Sequence, residues 1–321
     1  MTELSFVSLV RSDLERVESL LRERYPGQHK SIGVAVDHLV DGGGKRLRPA
    51  LVLLSARLCG AEPERAVFAA AAVEMLHTAT LIHDDLIDGA LVRRGTGTLN
   101  AHWSPTATVL TGDYAFAYAA YLASRAEDVR LMQRFAETLM VICNGEVRQM
   151  FDGRYRQPSL REYEQRIYAK TASLIAMSAE AGAILAGVDP ATTEALRAYG
   201  EQLGLAFQVV DDVLDFVADE GTLGKPVGSD LRQGLITLPL LLYLEAEPEQ
   251  SAVRQALQGD PSEELVREAV QAVAGSPAIE QALGVARQRA DWAKEALDGF
   301  SDSSYRAALL ELADFTVRRC F

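Results

Sequence analysis

Cysteine is scarce in this chain: Cys59, Cys143 and Cys320 are its three, in 321 residues. Their spacing forms neither a zinc pattern nor a paired disulfide framework, so they read as reduced thiols of a cytoplasmic protein. Cys320 stands one residue from the last, which does not make a prenylation box. Basic residues are also in deficit, 32 Lys and Arg against 45 Asp and Glu, for a formal charge of −13. So acidic a surface repels phosphate backbones, and nucleic acid is excluded as an expected partner. No linker rich in Ser, Gly or Pro and no fixed-period repeat divides the chain, so residues 1–321 are expected to form a single domain. The most apolar short run, Leu235 to Leu244, is too short to cross a bilayer and contains Pro239. The opening residues mix Arg11, Asp13, Glu15 and Arg16 into the apolar pattern, which describes an amphipathic helix rather than a secretory signal.

What is present is a 48% hydrophobic chain with a helical period nearly everywhere. Prolines at 26, 49, 63, 105, 158, 190, 226, 239, 248, 261 and 277 mark helix starts and loops, since proline is tolerated in a first turn and not in an interior. No run alternates as a strand would, and Asn144-Gly145 lacks the flanking alternation of a hairpin. The fold class is therefore all-α. Val67 to Ile87, Ala107 to Ala123 and Leu196 to Phe216 are apolar on nearly all sides, which predicts helices in the middle of a large bundle.

Two of these buried helices end in aspartates. Asp84, Asp85 and Asp88 close the first, and Asp84 and Asp88, four apart, share a face that runs back through Leu81 and His77 to Glu74. Gln208, Asp211, Asp212 and Asp215 repeat the arrangement on the other. Three carboxylates so close repel one another, and the helix C-terminus disfavours anions further. Bound cations resolve the conflict. Magnesium suits best, because it takes oxygen ligands and is commonly held by one or two carboxylates together with substrate phosphates. One such cluster reads equally as a solvated helix end; two matched clusters do not. A calcium loop is disfavoured, as neither segment has the Gly-centred twelve-residue pattern.

Positive charge is concentrated in four places. Gly42-Gly43-Gly44-Lys45-Arg46-Leu47-Arg48-Pro49 is a glycine-rich loop opening into a helix, without Walker spacing. Arg93-Arg94 follows the first Asp cluster, and the guanidinium fork matches phosphate oxygens. Lys170-Thr171 opens an apolar helical run, and Gly224-Lys225-Pro226, with Gly228 and Asp230, follows the second cluster. Together these supply cations for two diphosphates.

GGGKRLRP, HTATLIHDDLID, RRG, GDY, KT, FQVVDDVLDF and GKPVGSDL with the TLP that follows occur in this order from Gly42 to Pro239. In this set the chain resembles the trans-type polyprenyl diphosphate synthase family. The resemblance implies an isoprenoid-synthase fold, a bundle of mostly antiparallel helices around a deep central cavity, and a homodimer. It places Asp84, Asp85 and Asp88 at one magnesium site and Asp211, Asp212 and Asp215 at another, with about three ions once substrate is bound. Lys45, Arg48, His77 and Arg94 correspond to the isopentenyl diphosphate site. Arg93, Lys170, Thr171, Gln208 and Lys225 correspond to contacts on the allylic diphosphate. The residues expected to carry the chemistry are Asp84, Asp88, Arg93, Lys170 and Asp211.

The implied reaction ionises the allylic diphosphate, adds the double bond of isopentenyl diphosphate to the cation, and loses a proton. No protein nucleophile is needed, and the departing diphosphate is a fitting base. In the family, residues one turn before the first Asp line the product cavity. Ala79 and Thr80 are small there, so a long product of about six to ten isoprene units is expected, with Phe116, Tyr118 and Tyr121 as candidates for a deeper floor. The alternatives are a medium-chain synthase (farnesyl, geranylgeranyl or farnesylgeranyl), a terpene cyclase and a non-catalytic partner subunit. A cyclase has no use for a second basic site, and a non-catalytic subunit has no need of two intact Asp clusters.

Overall fold

A computed structural model of the chain describes residues 5–41, 46–93, 95–152, 156–218, 227–246, 252–259 and 261–319. Its elements bear out the all-α reading. In chain order they are α1 (Ser5–Ser8), α2 (Arg11–Leu21), α3 (Lys30–Asp41), α4 (Leu47–Cys59), α5 (Pro63–Ile87), α6 (Leu99–His102), α7 (Pro105–Ser124), α8 (Val129–Asp152), α9 (Leu160–Ile167), α10 (Ser173–Ala186), α11 (Pro190–Val217), α12 (Ser229–Arg232), α13 (Leu238–Ala246), α14 (Ala252–Ala256), α15 (Glu263–Ala274), α16 (Ala278–Glu295) and α17 (Ser304–Arg318). Prolines 63, 105 and 190 open α5, α7 and α11, as a residue without an N–H should. The sequence showed no sign of the two-residue strands β1 (Val92–Arg93) and β2 (Thr96–Gly97), an antiparallel pair turned at Gly95 with φ +76°.

Contacts divide the chain into two compact units. The first holds residues 1–138, 174–200 and 296–311, the second residues 139–173, 201–295 and 312–321.

In the first unit α5 is the central rod, packed by α2, α4, α6 and α7. Pro63 fills its first position, and the Glu62 carboxylate accepts from the Glu64 and Arg65 amides. The run Ala69–Ala72 is at most 1% exposed, and its small side chains let neighbouring helices approach. Met75 and Leu76 are wholly buried beyond it, each contributing about 1.5–3 kcal/mol of apolar burial. Helix α7 lies close at Gly112, where a methyl would meet the His83 ring and force it to shift. In length and composition α5 is apolar enough to cross a membrane, yet 72% of its most apolar window is buried inside the protein. It is a core helix.

The expectation that α7 is buried all round needs correction. It packs α5 with Thr111, Ala115, Ala119 and Leu122, while Val109, Leu110 and Tyr121 are exposed.

In the second unit the lower half of α11 (Leu205, Val209, Val210, Val213, Phe216) packs with Tyr163 and Ile167 of α9 and with α13, α15 and α16. Between α9 and α10 the chain makes one π-helical turn, Tyr168–Ala172. Such wide turns cluster at functional sites, and this one holds Lys170 and Thr171.

Candidate active site

Helix α5 places the first Asp set at its last turn. His77, Thr80, Leu81 and Asp84 form a half-buried stripe along α5, with His83 and Leu86 half-buried beside it, and Asp88 beyond them is exposed. Asp85 points the other way, 3% exposed, and accepts from Arg93 Nε at 2.7 Å. Burial pushes the Asp85 carboxyl above its ordinary range, and the Arg93 guanidinium opposes that rise. The short hairpin aims Arg93 back at the helix it follows, so Arg93 ties the loop to the cluster. His83 binds the same end to α7: its Nε2 lies 3.3 Å from the Val109 carbonyl and 3.5 Å from Asp113, and its ring packs against Phe116 with centroids 5.2 Å apart. The HDD and GDY motifs thus meet.

Glu74, at the start of the predicted stripe, is engaged elsewhere. It is 6% exposed and accepts from Arg46 Nη1 at 2.8 Å. Arg46 donates also to the Val40 carbonyl at 2.8 Å and to Glu18 at 3.4 Å. It caps α4 in the left-handed conformation, φ +48° and ψ 36°, which costs a non-glycine residue about 1–2 kcal/mol. Arg48 sits half-buried in the first turn of α4. Lys45, Arg94 and Lys225 lie outside the described residues.

In the second unit a chain of hydrogen bonds holds the other set. The Thr171 hydroxyl donates to Gln208 Oε1 at 2.6 Å, and the Gln208 amide to Asp212 Oδ1 at 2.9 Å. The Tyr163 hydroxyl donates to Asp212 Oδ2 at 2.7 Å. Asp212 is 2% exposed, and burial first, then the nearby Asp230 charge, raise its pKa to about 7. Asp215, 1% exposed, accepts from the Ser229 hydroxyl at 2.8 Å and the Asp230 amide at 3.0 Å. Gly228, at φ +75°, also turns its amide onto the Asp215 carbonyl at 2.8 Å. Asp211 is half-buried and accepts from Arg319 at 2.9 Å. Lys170, at the π-turn, pairs with Glu146 at 3.3 Å.

These placements separate the six expected metal ligands by exposure. Asp85, Asp212 and Asp215 are interior carboxylates satisfied by protein donors, and each braces a loop or a neighbouring helix. Asp84, Asp88 and Asp211 stand on the accessible stripes. Among the described residues no group of three or more His, Cys, Asp or Glu gathers as a self-contained cage. Magnesium does not need one: one or two carboxylates, waters and substrate phosphates complete its shell. The hard oxygen donors at Asp84, Asp88 and Asp211 fit it.

A polyprenyl synthetase family profile matches residues 29–273. The chain belongs to the polyprenyl synthetase family. Among solved structures, a polyprenyl synthase from Caulobacter crescentus CB15, complexed with calcium and isoprenyl diphosphate, superposes with a TM-score of 0.92 at 40% identity over 99% of both chains. The heptaprenyl diphosphate synthase component 2 of Geobacillus stearothermophilus is 38% identical over 97% of each chain. A short chain isoprenyl diphosphate synthase of Methanothermobacter thermautotrophicus is 39% identical over 89% of each. Membership in the polyprenyl synthetase family accounts for the all-α fold. Relatives of different product length sit at the same identity, so length must be read from particular side chains.

Sequence reasoning missed three contributors. Tyr163 lies 49 residues from the Asp212 it holds, Arg319 lies 108 from Asp211, and Arg46 looks like one more cation in a basic loop. The position of Glu74 on the Asp stripe was the only available signal, and nothing in the sequence linked it to Arg46. Of the two cavity positions, Thr80 is half-buried on the accessible stripe, its hydroxyl on the His77 carbonyl at 2.8 Å, whereas Ala79 is 0% exposed. Among the floor candidates, Tyr118 is 7% exposed and bonds the Leu20 carbonyl at 2.9 Å, and Tyr121 faces outward. Phe116 is half-buried beside His83.

Proposed function

We propose that this protein is a magnesium-dependent prenyltransferase that condenses isopentenyl diphosphate with an allylic diphosphate into a long all-trans polyprenyl diphosphate. The observation that carries the reading is that α5 and α11, each built into an apolar core, present Asp84 and Asp211 half-buried and Asp88 exposed at their C-terminal ends. Asp84, Asp88 and Asp211 hold the metal, which neutralises the departing diphosphate as a Lewis acid. Arg93, Lys170, Thr171, Gln208 and Lys225 orient the allylic diphosphate. Lys45, Arg48, His77 and Arg94 hold isopentenyl diphosphate so that its double bond faces the allylic carbon. Fixed cations facing the oxygens that gain charge stabilise the transition state. The small Thr80 leaves room for the tail. Farnesyl diphosphate incubated with labelled isopentenyl diphosphate and magnesium should yield products of about six to ten units. A farnesylgeranyl or shorter end product rejects the long-chain reading. Cyclic hydrocarbon released from an allylic diphosphate alone rejects the condensation.

We further propose that the whole chain acts as one domain, since the unit boundaries at Thr138–Leu139 and Gly200–Glu201 fall inside α8 and α11. It works as a cytoplasmic homodimer. Exposed Val109 and Leu110 on α7 support an apolar self-association surface. Light scattering on the purified chain tests this, with a monomer at micromolar concentration as the refuting result.

A further inference from the structure

We propose that Arg46 is a positioning residue for isopentenyl diphosphate, clamping the start of α4, which carries Arg48, onto α5 through Glu74; the inference rests on the function proposed above. Arg46 lies directly between the residues assigned to that diphosphate, yet its own charge is spent inward. Its guanidinium reaches three elements at once: Glu74 on α5 at 2.8 Å, the Val40 carbonyl of α3 at 2.8 Å and Glu18 on α2 at 3.4 Å. Its side chain is 14% exposed and that of Glu74 8%. A carboxylate this buried on an alanine-rich core helix is tolerated only when paired, so Glu74 and Arg46 depend on each other.

The backbone gives the clamp its purpose. Among the described residues only Arg46 and Glu127 adopt a positive φ without being glycine. The left-handed turn at Arg46 sets the direction in which the chain enters α4, and so where Arg48 in its first turn projects. The anchor point is equally specific. Glu74 is three residues before His77 on the stripe that leads to Asp84, so the clamp references the start of α4 to the same helix that carries Asp84. Lysine cannot substitute, because a single ammonium lacks the rigid fork that meets three acceptors in different directions.

The test is steady-state kinetics on Arg46→Lys, Arg46→Gln, Glu74→Gln and the Arg46→Gln/Glu74→Gln double variant, each with its melting temperature. A positioning role predicts a KM for isopentenyl diphosphate raised about tenfold or more. KM for the allylic primer should stay within about twofold, and the double variant should be no worse than the worse single one. Should Arg46→Gln not fold, Arg46→Lys decides. A variant that only melts earlier, or that loses kcat without a selective rise in that KM, overturns the inference while the function stands. A wild-type protein that does not consume isopentenyl diphosphate with any allylic primer overturns both.

Discussion

The guanidinium of Arg319 lies 2.9 Å from the carboxylate of Asp211 and stacks over the Phe207 ring, one helical turn earlier on α11, at 3.9 Å from its centroid. Arg319 also donates to the Phe207 carbonyl at 3.2 Å, and its side chain is 13% exposed. A protein cation therefore sits on the carboxylate proposed to take magnesium.

A resident counter-charge competes with an incoming one. Arg319→Ala should bind magnesium more tightly, with the half-saturating concentration lowered by about three- to tenfold, as loss of a partly buried charged hydrogen bond implies. Calorimetric titration of the substrate-free protein with magnesium reads this directly. Unchanged or weaker binding would show that Arg319 supports the ligand geometry instead.

The accessible and interior aspartates should separate in mutagenesis. Asp84→Asn removes a half-exposed donor, so the rate should fall by about a hundredfold or more while the melting temperature barely moves. Asp215→Ala removes a buried acceptor of two hydrogen bonds and should cost about 2–3 kcal/mol of stability, several degrees of melting temperature. The reverse pattern, with Asp215→Ala stable and Asp84→Asn unfolded, would contradict the burial.

Thr80 and Ala79 differ in what a large side chain would meet. Thr80→Phe projects into accessible space and should shorten the product by several isoprene units in chromatography of the dephosphorylated alcohols. Ala79→Phe enters a filled core and should cost about 1–3 kcal/mol of stability. Shortening by a well-folded Ala79→Phe, with Thr80→Phe inert, would put the tail on the other face of α5.

Glu180 tests the electrostatics of the first unit. Burial raises its carboxyl pKa, against the nearby Arg134 guanidinium at 2.9 Å. A folded-state pKa above the unfolded value gives stability that is complete below the unfolded value and is lost as pH rises through the folded one. Glu180→Gln escapes that loss. The melting temperature of Glu180→Gln minus that of the wild type should therefore become more favourable to the variant from pH 4 to pH 7. A difference that is flat with pH, or moves the other way, refutes the assignment.

The element types were legible because helical period and proline position are local properties. Pro63, Pro105 and Pro190 open helices whatever packs on them, and the i, i+4 spacing of Asp84 and Asp88 puts them on one face of any helix. The hairpin at Arg93 was not legible, since two paired residues leave no periodic trace. Nor was the outer face of α7: Val109 and Leu110 read as core by composition, and only packing reveals which side is covered.

Chemistry and secondary structure, then, were available from the chain alone, because side-chain type and near-neighbour spacing suffice for both: carboxylates for a divalent cation, cations for diphosphates, small residues before the first Asp. Which carboxylates are buried against protein donors and which stay accessible emerged only on folding. Asp212 meets Tyr163, Asp211 meets Arg319 and Glu74 meets Arg46 across separations of 49, 108 and 28 residues. Contacts that distant are set by how helices pack, and a one-dimensional pattern holds no record of them.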